Sequence, residues 1–402
     1  MEFTKYSAQK ILGNSFIGFF WCMWLTLQYK PQKELLKKTW LGGAKLKYLH
    51  FALLCRRNGV VFFRIDRVAS EYTYDFYCVE DLTKREKEWF CKKGYAPRKV
   101  NTFKLTKENY KDYVSHFDFY HIRNFINDPF VEMFENKLHT YLLLAPFIKN
   151  LPNHYAYIED GENIYRLNYT GVGQLTSNQI LEILDKNPLA AKACYGGHGR
   201  GFYLLRKTGN AQYQANNEVY DTKGFVNFLG TLKKYVLQDF LTPHHSFVEL
   251  CGNEAFTVFR VVIINDKIDG PQLMACMARL GCKGAGVLTD FPGTIYCGID
   301  LKTGKMFDPQ MFVSDIIREY CPTHPDTGKL LEGYDVVQFE ELKQLGLDIA
   351  MYMPWIPYIT IDVIPAESGL KILEINSHGQ TWVWERHFPA CKNEYFRKVF
   401  LK

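Results

Sequence analysis

Apolar and polar positions alternate in two short runs near the end of the chain, and this pattern predicts a β-hairpin. The first run is Tyr358-Ile-Thr-Ile-Asp362-Val-Ile-Pro and the second is Leu370-Lys-Ile-Leu-Glu374-Ile-Asn376, with a glycine-bearing break between them. Because side chains in a strand alternate between faces, Glu374 and Asn376 share a face, and Asp362 can lie opposite them. Two carboxylates and an amide oxygen in this arrangement suit Mg²⁺ that also binds substrate phosphates. A solvated hairpin with chance polar positions is the alternative interpretation.

A second pattern lies upstream, where an apolar strand carries a lysine and another strand follows a glycine-rich break. Lys192 is on the first predicted strand, and the break contains Gly196, Gly197, Gly199 and Gly201. Glycines allow backbone N–H groups to approach an anion closely, and a lysine supplies a point charge for phosphate oxygens. No Gly-Lys-Ser/Thr follows, so the segment is not a P-loop, and the following strand excludes a dinucleotide-binding turn. Taken alone, the segment also fits a plain tight turn.

In this order, a lysine-bearing strand, a glycine-rich loop and a C-terminal Asp…Glu-x-Asn hairpin resemble the ATP-grasp superfamily. Within the superfamily, the chain is similar to the branch associated with sugar transfer and polysaccharide loci. The resemblance covers about residues 130–390 and is most specific at the hairpin. It implies two α+β lobes that clasp ATP, preceded by a mixed, partly helical N-terminal region.

The resemblance also implies roles for individual residues. Both arginines would be catalytic: Arg260 would point at a phosphate or a substrate carboxylate, and Arg279 would steady the transferred phosphoryl group. The implied nucleotide site comprises Lys137, Lys192, Gly196, Gly197, Gly199, Gly201, Gln238, Asp239 and Leu241, and the implied metal ligands are Asp362, Glu374 and Asn376. At the hinge strand, Gln238-Asp239 stands where many relatives carry Glu at the second position, which leaves the ribose contact undefined.

The order of predicted elements supports the same fold class. Strands occur in hairpins among helices, without regular βαβ alternation, and this favours an α+β fold. We expect an N-terminal region over 1–128, a nucleotide lobe over 129–241 and a C-terminal lobe with the metal hairpin over 242–402. Within these regions the pattern predicts an apolar helix over 129–148 and an amphipathic helix over 334–353, the latter with Val337 on its apolar side. Thr83 and Thr176 are predicted to begin helices.

The N-terminal segment admits two interpretations. The run from Ile11 to Leu27 is strongly apolar but interrupted by polar residues, and lysines are frequent from Lys30 to Lys47. It is too short and polar for a spanning helix, and no cleavage site of a signal peptide follows it. One interpretation is a helix docked on the protein body. The other is an interfacial helix, so that residues 11–47 make a peripheral contact with the inner face of a membrane.

Charge and cysteine usage narrow the class of protein. The net charge of +6 is spread along the chain without a basic run interleaved with aromatic residues, so nucleic-acid binding is not predicted. The 11 cysteines contain no Cys-x-x-Cys pair, which favours reduced thiols in a cytoplasmic protein. No Cys/His zinc site is predicted either, because His244-His245 has no cysteine or further histidine at ligand spacing nearby.

The expected function is that of an ATP-dependent carboxylate–amine ligase with ATP and Mg²⁺ as cofactors. Such an enzyme converts a carboxylate into an acyl phosphate that an amine then attacks, so it needs positioning and charge neutralisation rather than a protein nucleophile. The resemblance suggests small-molecule substrates for polysaccharide biosynthesis: a uronic acid or amino acid as carboxylate and an amino sugar or amino acid as amine, whether free, nucleotide-linked or lipid-linked. A phosphotransferase acting on a hydroxyl and a non-catalytic nucleotide-binding assembly protein remain alternatives.

Overall fold

The computed structural model describes residues 16–60, 64–122, 126–128, 130–167, 173–196, 199, 201–252, 256–284, 293–313, 318–377 and 379–401. The helices within these ranges are α1 (Phe16–Gln28), α2 (Lys33–Lys38), α3 (Leu41–Arg57), α4 (Ile65–Cys78), α5 (Lys84–Lys92), α6 (Pro97–Phe103), α7 (His116–Ile122), α8 (Val131–Glu135), α9 (Lys137–Leu143), α10 (Ser177–Leu184), α11 (Thr222–Thr231), α12 (His245–Cys251), α13 (Phe339–Tyr352) and α14 (Glu394–Phe400). The strands are β1 (His154–Ile158), β2 (Ile164–Arg166), β3 (Leu189–Ala193), β4 (Phe202–Gly209), β5 (Gln212–Ala215), β6 (Glu218–Asp221), β7 (Tyr235–Asp239), β8 (Thr257–Asp266), β9 (Gly270–Gly281), β10 (Thr294–Ile299), β11 (Met306–Phe312), β12 (Arg318–Tyr320), β13 (Tyr358–Ala366) and β14 (Gly369–Asn376).

The strands form two antiparallel sheets, and this confirms the predicted α+β class. The first sheet has the order β2-β1-β7-β3-β4-β5-β6, and the second has the order β12-β11-β10-β9-β8-β13-β14. Helices α10 and α11 supply apolar side chains such as Ile180 and Phe225 to the core of the first sheet. The division into three domains stays a prediction.

The central strands of the second sheet are buried on both faces. Every residue of β13 is buried, as are nine of the ten in β8. On one face, Val261 and its neighbours pack against α13, where Gly346 allows close approach because a Cβ there would lie 2.9 Å from the Val261 Cγ1. On the other face, Val262 and Met277 pack against the N-terminal helices, for example against Phe51. The N-terminal helices therefore form one layer of the core that covers the second sheet.

The local structure confirms several predictions from the sequence. The two C-terminal runs form the expected hairpin, and its register places Asp362 opposite Glu374. Strands β3 and β4 pair on either side of the glycine-rich break. Thr83 and Thr176 both cap their helices through capping boxes, each of which satisfies backbone N–H groups that the first helical turn leaves without partners.

Two predicted helices were wrong in extent. The apolar helix over 129–148 is broken, because the extended backbone of Asn136 lets its side chain cap a new helix by accepting from the Leu138 N–H. The helix predicted over 334–353 begins only at Phe339. The Tyr334 carbonyl accepts from the Met306 N–H (2.9 Å) and so belongs to a loop contact, and Val337 is 79% exposed.

The N-terminal helix has a docked face and an open face. Cys22 and Leu25 are buried against α3, whereas Phe20, Trp24 and Leu27 are 64%, 47% and 70% exposed. The first residues of the predicted run, 11–15, lie outside the described residues. In the part of the chain that the structure describes, no helix combines the length and the hydropathy needed to cross a membrane.

Candidate functional site

A cleft of about 970 Å³ lies between the two sheets. Strands β3, β4 and β7 line it from the first sheet, and β8, β9, β13 and β14 line it from the second. Its volume is near the upper end of the range for small-molecule sites. All of the site residues expected from the sequence that fall within the described ranges line this cleft.

Lys137 and Lys192 meet on the first-sheet side. Helix α9 starts at Lys137, whose backbone N–H donates to the Cys194 carbonyl (3.0 Å) and whose Nζ donates to the Gly196 carbonyl (2.8 Å). Lys192 is partly buried on β3, and burial lowers its pKa to about 8, with a counteracting contribution from the Glu374 carboxylate. An anion that enters the cleft would stabilise the charged form of Lys192 and raise its pKa again.

The glycine-rich break needs glycine at specific positions. Gly196, Gly199 and Gly201 have φ angles of 134°, 71° and 70°, which residues with a Cβ rarely adopt. A Cβ at Gly201 would also lie 2.9 Å from the Ala193 Cβ and 3.1 Å from the Tyr235 hydroxyl. Gly197, which the sequence also assigned to the nucleotide site, lies outside the described residues. The backbone conformation, rather than flexibility alone, therefore explains these glycines.

Arg260, Arg279 and Asp362 form a buried charge cluster on the second-sheet side. Arg260 donates from Nε to Oδ1 and from Nη2 to Oδ2 of Asp362, both at 2.7 Å, and Arg279 Nη2 donates to Oδ2 at 2.9 Å. Burial alone would raise the pKa of the Asp362 carboxyl, but the two guanidinium groups outweigh it and hold the pKa below its usual value. The Nε of Arg279 is buried and has no hydrogen-bond partner among the described residues.

Glu374 and Asn376 lie beside this cluster on β14. Both are partly buried and line the cleft, and the Asn376 Nδ2 donates to the Glu374 Oε1 (3.1 Å). The structure thus brings together the three residues that the sequence proposed as metal ligands. It also adds a feature that the sequence did not reveal, because both oxygens of Asp362 already accept guanidinium N–H groups.

The hinge strand places its three predicted residues at one end of the cleft. Gln238 is buried, and Leu241 follows just after β7. The carboxylate of Asp239 accepts from the Tyr155 hydroxyl (2.6 Å) and from the Asn153 Nδ2 (2.7 Å). These bonds hold the hinge to β1 and its preceding segment.

Several residues that line the cleft were missed from the sequence. Val258 and Ile364 form an apolar surface with Leu241, and His154 stacks on Tyr141 with ring centroids 4.1 Å apart. Two of them could have been found from the sequence, because residues two apart in a strand share a face. Val258 lies two residues from Arg260, and Ile364 lies two residues from Asp362. His154 gave no such signal, because its position depends on how β1 pairs with β7.

A family model described as sugar-transfer associated ATP-grasp matches residues 119–385 of this chain. The chain belongs to this family. The match covers well over half of the chain and includes every site residue discussed above, whereas the N-terminal helices up to α6 precede it. No curated protein matches the sequence.

Solved structures give more distant likenesses to this ATP-grasp protein. The D-alanine–D-alanine ligase of Bacillus anthracis is 9% identical with a TM-score of 0.35, covering 67% of this chain and 66% of the ligase. An L-amino acid ligase from Bacillus licheniformis is 10% identical with a TM-score of 0.33, covering 70% and 52%. The N5-carboxyaminoimidazole ribonucleotide synthetase of Thermotoga maritima is 9% identical with a TM-score of 0.31, covering 61% of this chain and 42% of the synthetase. Identities and TM-scores this low carry no argument about activity.

Proposed function

We propose that this protein is an ATP-dependent carboxylate–amine ligase. The observation that carries the proposal is that lysines, arginines and oxygen ligands line one cleft. Lys192 lines it from the first sheet, Lys137 at the start of α9 lies beside the glycine-rich break, and Arg279, Glu374 and Asn376 line it from the second sheet. Such a cleft suits a triphosphate whose terminal phosphoryl group is transferred. The cationic side chains neutralise the phosphate charge, and the oxygen ligands can hold a metal ion.

The nucleotide would lie with its phosphates at the glycine-rich break and its base at the hinge. The two lysines offset the phosphate charge, and the apolar surface around Leu241, Val258 and Ile364 accepts the adenine ring. A bound Mg²⁺ would neutralise charge between phosphate oxygens. Glu374 and Asn376 fit such an ion because both bring oxygen atoms to the cleft, and we keep Asp362 in the proposed ligand set beside its role toward the arginines.

The reaction we propose has two steps. A substrate carboxylate oxygen attacks the γ-phosphorus, the bond to the bridging oxygen breaks, and ADP leaves. An amine nitrogen then attacks the acyl carbon, loses a proton, and phosphate departs with the electron pair of the C–O bond. Arg279 is placed to stabilise the negative charge of both steps, because its buried Nε has no hydrogen-bond partner within the described ranges and the group borders the cleft.

A second, smaller cavity is the proposed binding site for part of the second substrate. It has a volume of about 220 Å³ between the N-terminal helices and the segment after β14, and Gln380 lines both cavities. Its wall carries two ion pairs, Arg67 with Glu71 (3.2 Å) and Arg98 with Asp75 (3.0 Å), and the ring of Trp382. Both signs of charge next to an aromatic ring suit the amine or carboxylate group of an amino acid, an amino sugar or a uronic acid. A nucleotide- or lipid-linked substrate would place only its sugar here, because the volume is below the range of about 300–1,000 Å³ for complete small-molecule sites. We propose a role in cell-surface polysaccharide biosynthesis, which the sugar-transfer association of the matching family model supports.

We also propose that the protein works in the cytoplasm and contacts the inner face of the membrane through the open face of α1. This face presents Phe20, Trp24 and Leu27 to solvent. Lysines follow it in sequence, and Lys45 Nζ donates to the Leu27 carbonyl (2.9 Å), which places a cation beside the apolar face. Apolar side chains with adjacent cations are the chemistry that anionic lipid surfaces attract.

The direct test is a screen for ATP-dependent release of free phosphate with pairs of amino acids, uronic acids and amino sugars. We expect release that requires both a carboxylate and an amine. Glu374→Gln should abolish it, and Glu341→Gln, an exposed change on α13, should not. A phosphorylated hydroxyl without free phosphate would instead indicate a phosphotransferase, and ATP binding without consumption would indicate a non-catalytic protein.

The location of the second substrate is tested separately. Glu71→Gln removes one charge from the smaller cavity without touching the cleft. We expect a higher KM for the amine substrate and an unchanged KM for ATP. Unchanged KM values for both substrates would place the second substrate elsewhere.

A further inference from the structure

A separate group of potential metal ligands lies outside the cleft. Cys282, His324 and Asp326 each offer one ligand atom, and these atoms all lie within 4.8 Å of one another. Cys282 directly follows β9, and the other two lie in the loop between β12 and α13. About forty residues separate the two segments along the chain, so only folding brings them together.

The hydrogen bonding of His324 fixes its tautomer and turns the Nδ1 lone pair toward Asp326. Its Nε2 lies 3.1 Å from the Gly281 carbonyl, which can only accept, so Nε2 carries the proton. The lone pair is therefore on Nδ1, which accepts from the Asp326 backbone N–H at 3.3 Å and lies 3.9 Å from the Asp326 Oδ2. A metal bound at Nδ1 would replace this long hydrogen bond. Metal-bound histidines typically donate their other ring N–H to a carbonyl in this way, which fixes the tautomer and the orientation of the ring.

Hydrogen bonds to backbone groups hold together the two segments that carry these residues. The Lys283 N–H donates to the Asp326 Oδ2 (2.7 Å), which ties the loop to the segment that carries Cys282. Within the loop, the His324 N–H donates to the Lys329 carbonyl and the Gly328 N–H to the His324 carbonyl, both at 2.8 Å. His324 and Cys282 are buried and Asp326 is exposed, so the group opens to solvent on the Asp326 side.

We propose that Cys282, His324 and Asp326 bind one divalent cation of the zinc type. A thiolate, an imidazole and a carboxylate form a mixed donor set that suits Zn²⁺, whereas Mg²⁺ prefers oxygen ligands alone. Binding breaks the S–H bond of Cys282 and forms a bond from sulfur to the metal, with the proton released to solvent. Water completes the fourth position. The thiol of Cys321 on the same loop donates to the Thr323 carbonyl (3.1 Å) and is outside the set.

The position of this site suggests a structural role. Cys282 lies three residues after Arg279 on the chain, at the end of β9. A cation that joins Cys282 to the loop of His324 and Asp326 would fix this end of the strand. The site is independent of the proposed ligase activity, since none of its three residues lines the cleft.

Titration of the metal-free, reduced protein with Co²⁺ tests the proposal. We expect one equivalent to bind with a sulfur-to-cobalt charge-transfer band, and Zn²⁺ to displace it. Cys282→Ser should abolish the band and weaken Zn²⁺ binding at least about tenfold. The control is the double variant His50→Ala/Cys78→Ser, which removes one imidazole and one thiol elsewhere and should bind as the wild type does. A wild type without stoichiometric binding, or an unchanged band in Cys282→Ser, would overturn the proposal.

A second variant guards against loss of the fold. Asp326→Asn keeps an oxygen to accept from the Lys283 N–H but removes the charge. We expect the metal-free variant to match the wild type in circular dichroism and melting temperature. Zn²⁺ should raise the melting temperature of the wild type and raise that of Asp326→Asn much less. An equal rise in both proteins would contradict the assignment of Asp326 as a ligand.

Discussion

Arg260 and Asp362 form a buried, two-pronged ion pair across neighbouring strands. The two residues lie directly opposite each other in the register of β8 and β13, and their two hydrogen bonds are both 2.7 Å long. The pair holds the guanidinium group at the wall of the cleft in one orientation. A second arginine, Arg279, shares the same carboxylate, so Asp362 compensates two cations where an anionic substrate is expected.

The first prediction concerns this cluster. Asp362→Asn keeps the shape of the side chain but leaves two buried guanidinium groups without their counter-charge. We expect the free energy of unfolding to fall by about 3 kcal/mol, measured by urea denaturation at neutral pH. Arg260→Leu/Asp362→Leu should recover part of this loss, because it removes one cation together with the anion. A double variant less stable than the single one would contradict this explanation.

The same cluster predicts a dependence on pH. The folded-state pKa of Asp362 is lowered, so its contribution to stability is present above the unfolded-state pKa of about 3.9 and is lost as the pH falls through the folded-state value. The wild type should therefore lose stability below about pH 4 more steeply than Asp362→Asn does. Parallel pH profiles of the two proteins would argue against a lowered pKa.

The second prediction concerns Lys192 and ATP. Because burial lowers the pKa of Lys192 to about 8, the free protein loses this charge as the pH rises through that value. ATP binding needs the ammonium form, so we expect proton uptake on binding and falling affinity above pH 8. Calorimetry in two buffers with different ionisation enthalpies measures the uptake. Lys192→Arg, which stays charged, should remove the uptake, and Lys192→Met should weaken binding by at least about 1.5 kcal/mol.

Sequence reasoning located the cleft because its chemistry is local. The hairpin register that joins Asp362 to Glu374 follows from alternation and from one short turn. The strand that carries Lys192 and the glycines after it are contiguous, and so are the hinge residues. In each case a few neighbouring positions determine which way a side chain points.

Features that depend on distant contacts could not be predicted. Nothing near Asp362 in sequence shows that Arg260 and Arg279 converge on it, since β8 and β9 lie about 100 and 80 residues earlier. The second sheet lacks alternation because helices cover both faces, and this hides which residues face the cleft. Cys282 and His324 meet only because β9 ends beside the loop between β12 and α13.

The third prediction tests how the N-terminal region is held. Lys99 of α6 donates to the Glu385 Oε2 (2.6 Å) and to the Val114 carbonyl (2.7 Å), and both charged side chains are almost completely buried. Glu385→Gln leaves the ammonium group uncompensated and should lower the free energy of unfolding by about 3–5 kcal/mol. Glu80→Gln, which breaks an exposed ion pair with Lys38, should have no measurable effect. Equal stability of Glu385→Gln and the wild type would mean that water compensates Lys99.

The last prediction concerns the membrane. The exposed side chains of Phe20, Trp24 and Leu27 form the open face of α1, so changing all three to Ser should preserve the fold. We expect the wild type to co-sediment with anionic vesicles at low salt and the triple variant to remain in solution, because the change removes the apolar contact.

The matched control changes three exposed apolar residues elsewhere to Ser. These are Val219, Ile268 and Val337, which are 58%, 89% and 79% exposed. This control should sediment as the wild type does if the contact belongs to α1. Sedimentation should also weaken as salt screens the lysines, since the Debye length falls from about 30 Å at 0.01 M to about 10 Å at 0.1 M ionic strength. If the triple variant sediments equally well, α1 is not the contact; if the wild type stays in solution, the open face has no affinity for lipid and any lipid-linked substrate must reach the cleft by another route.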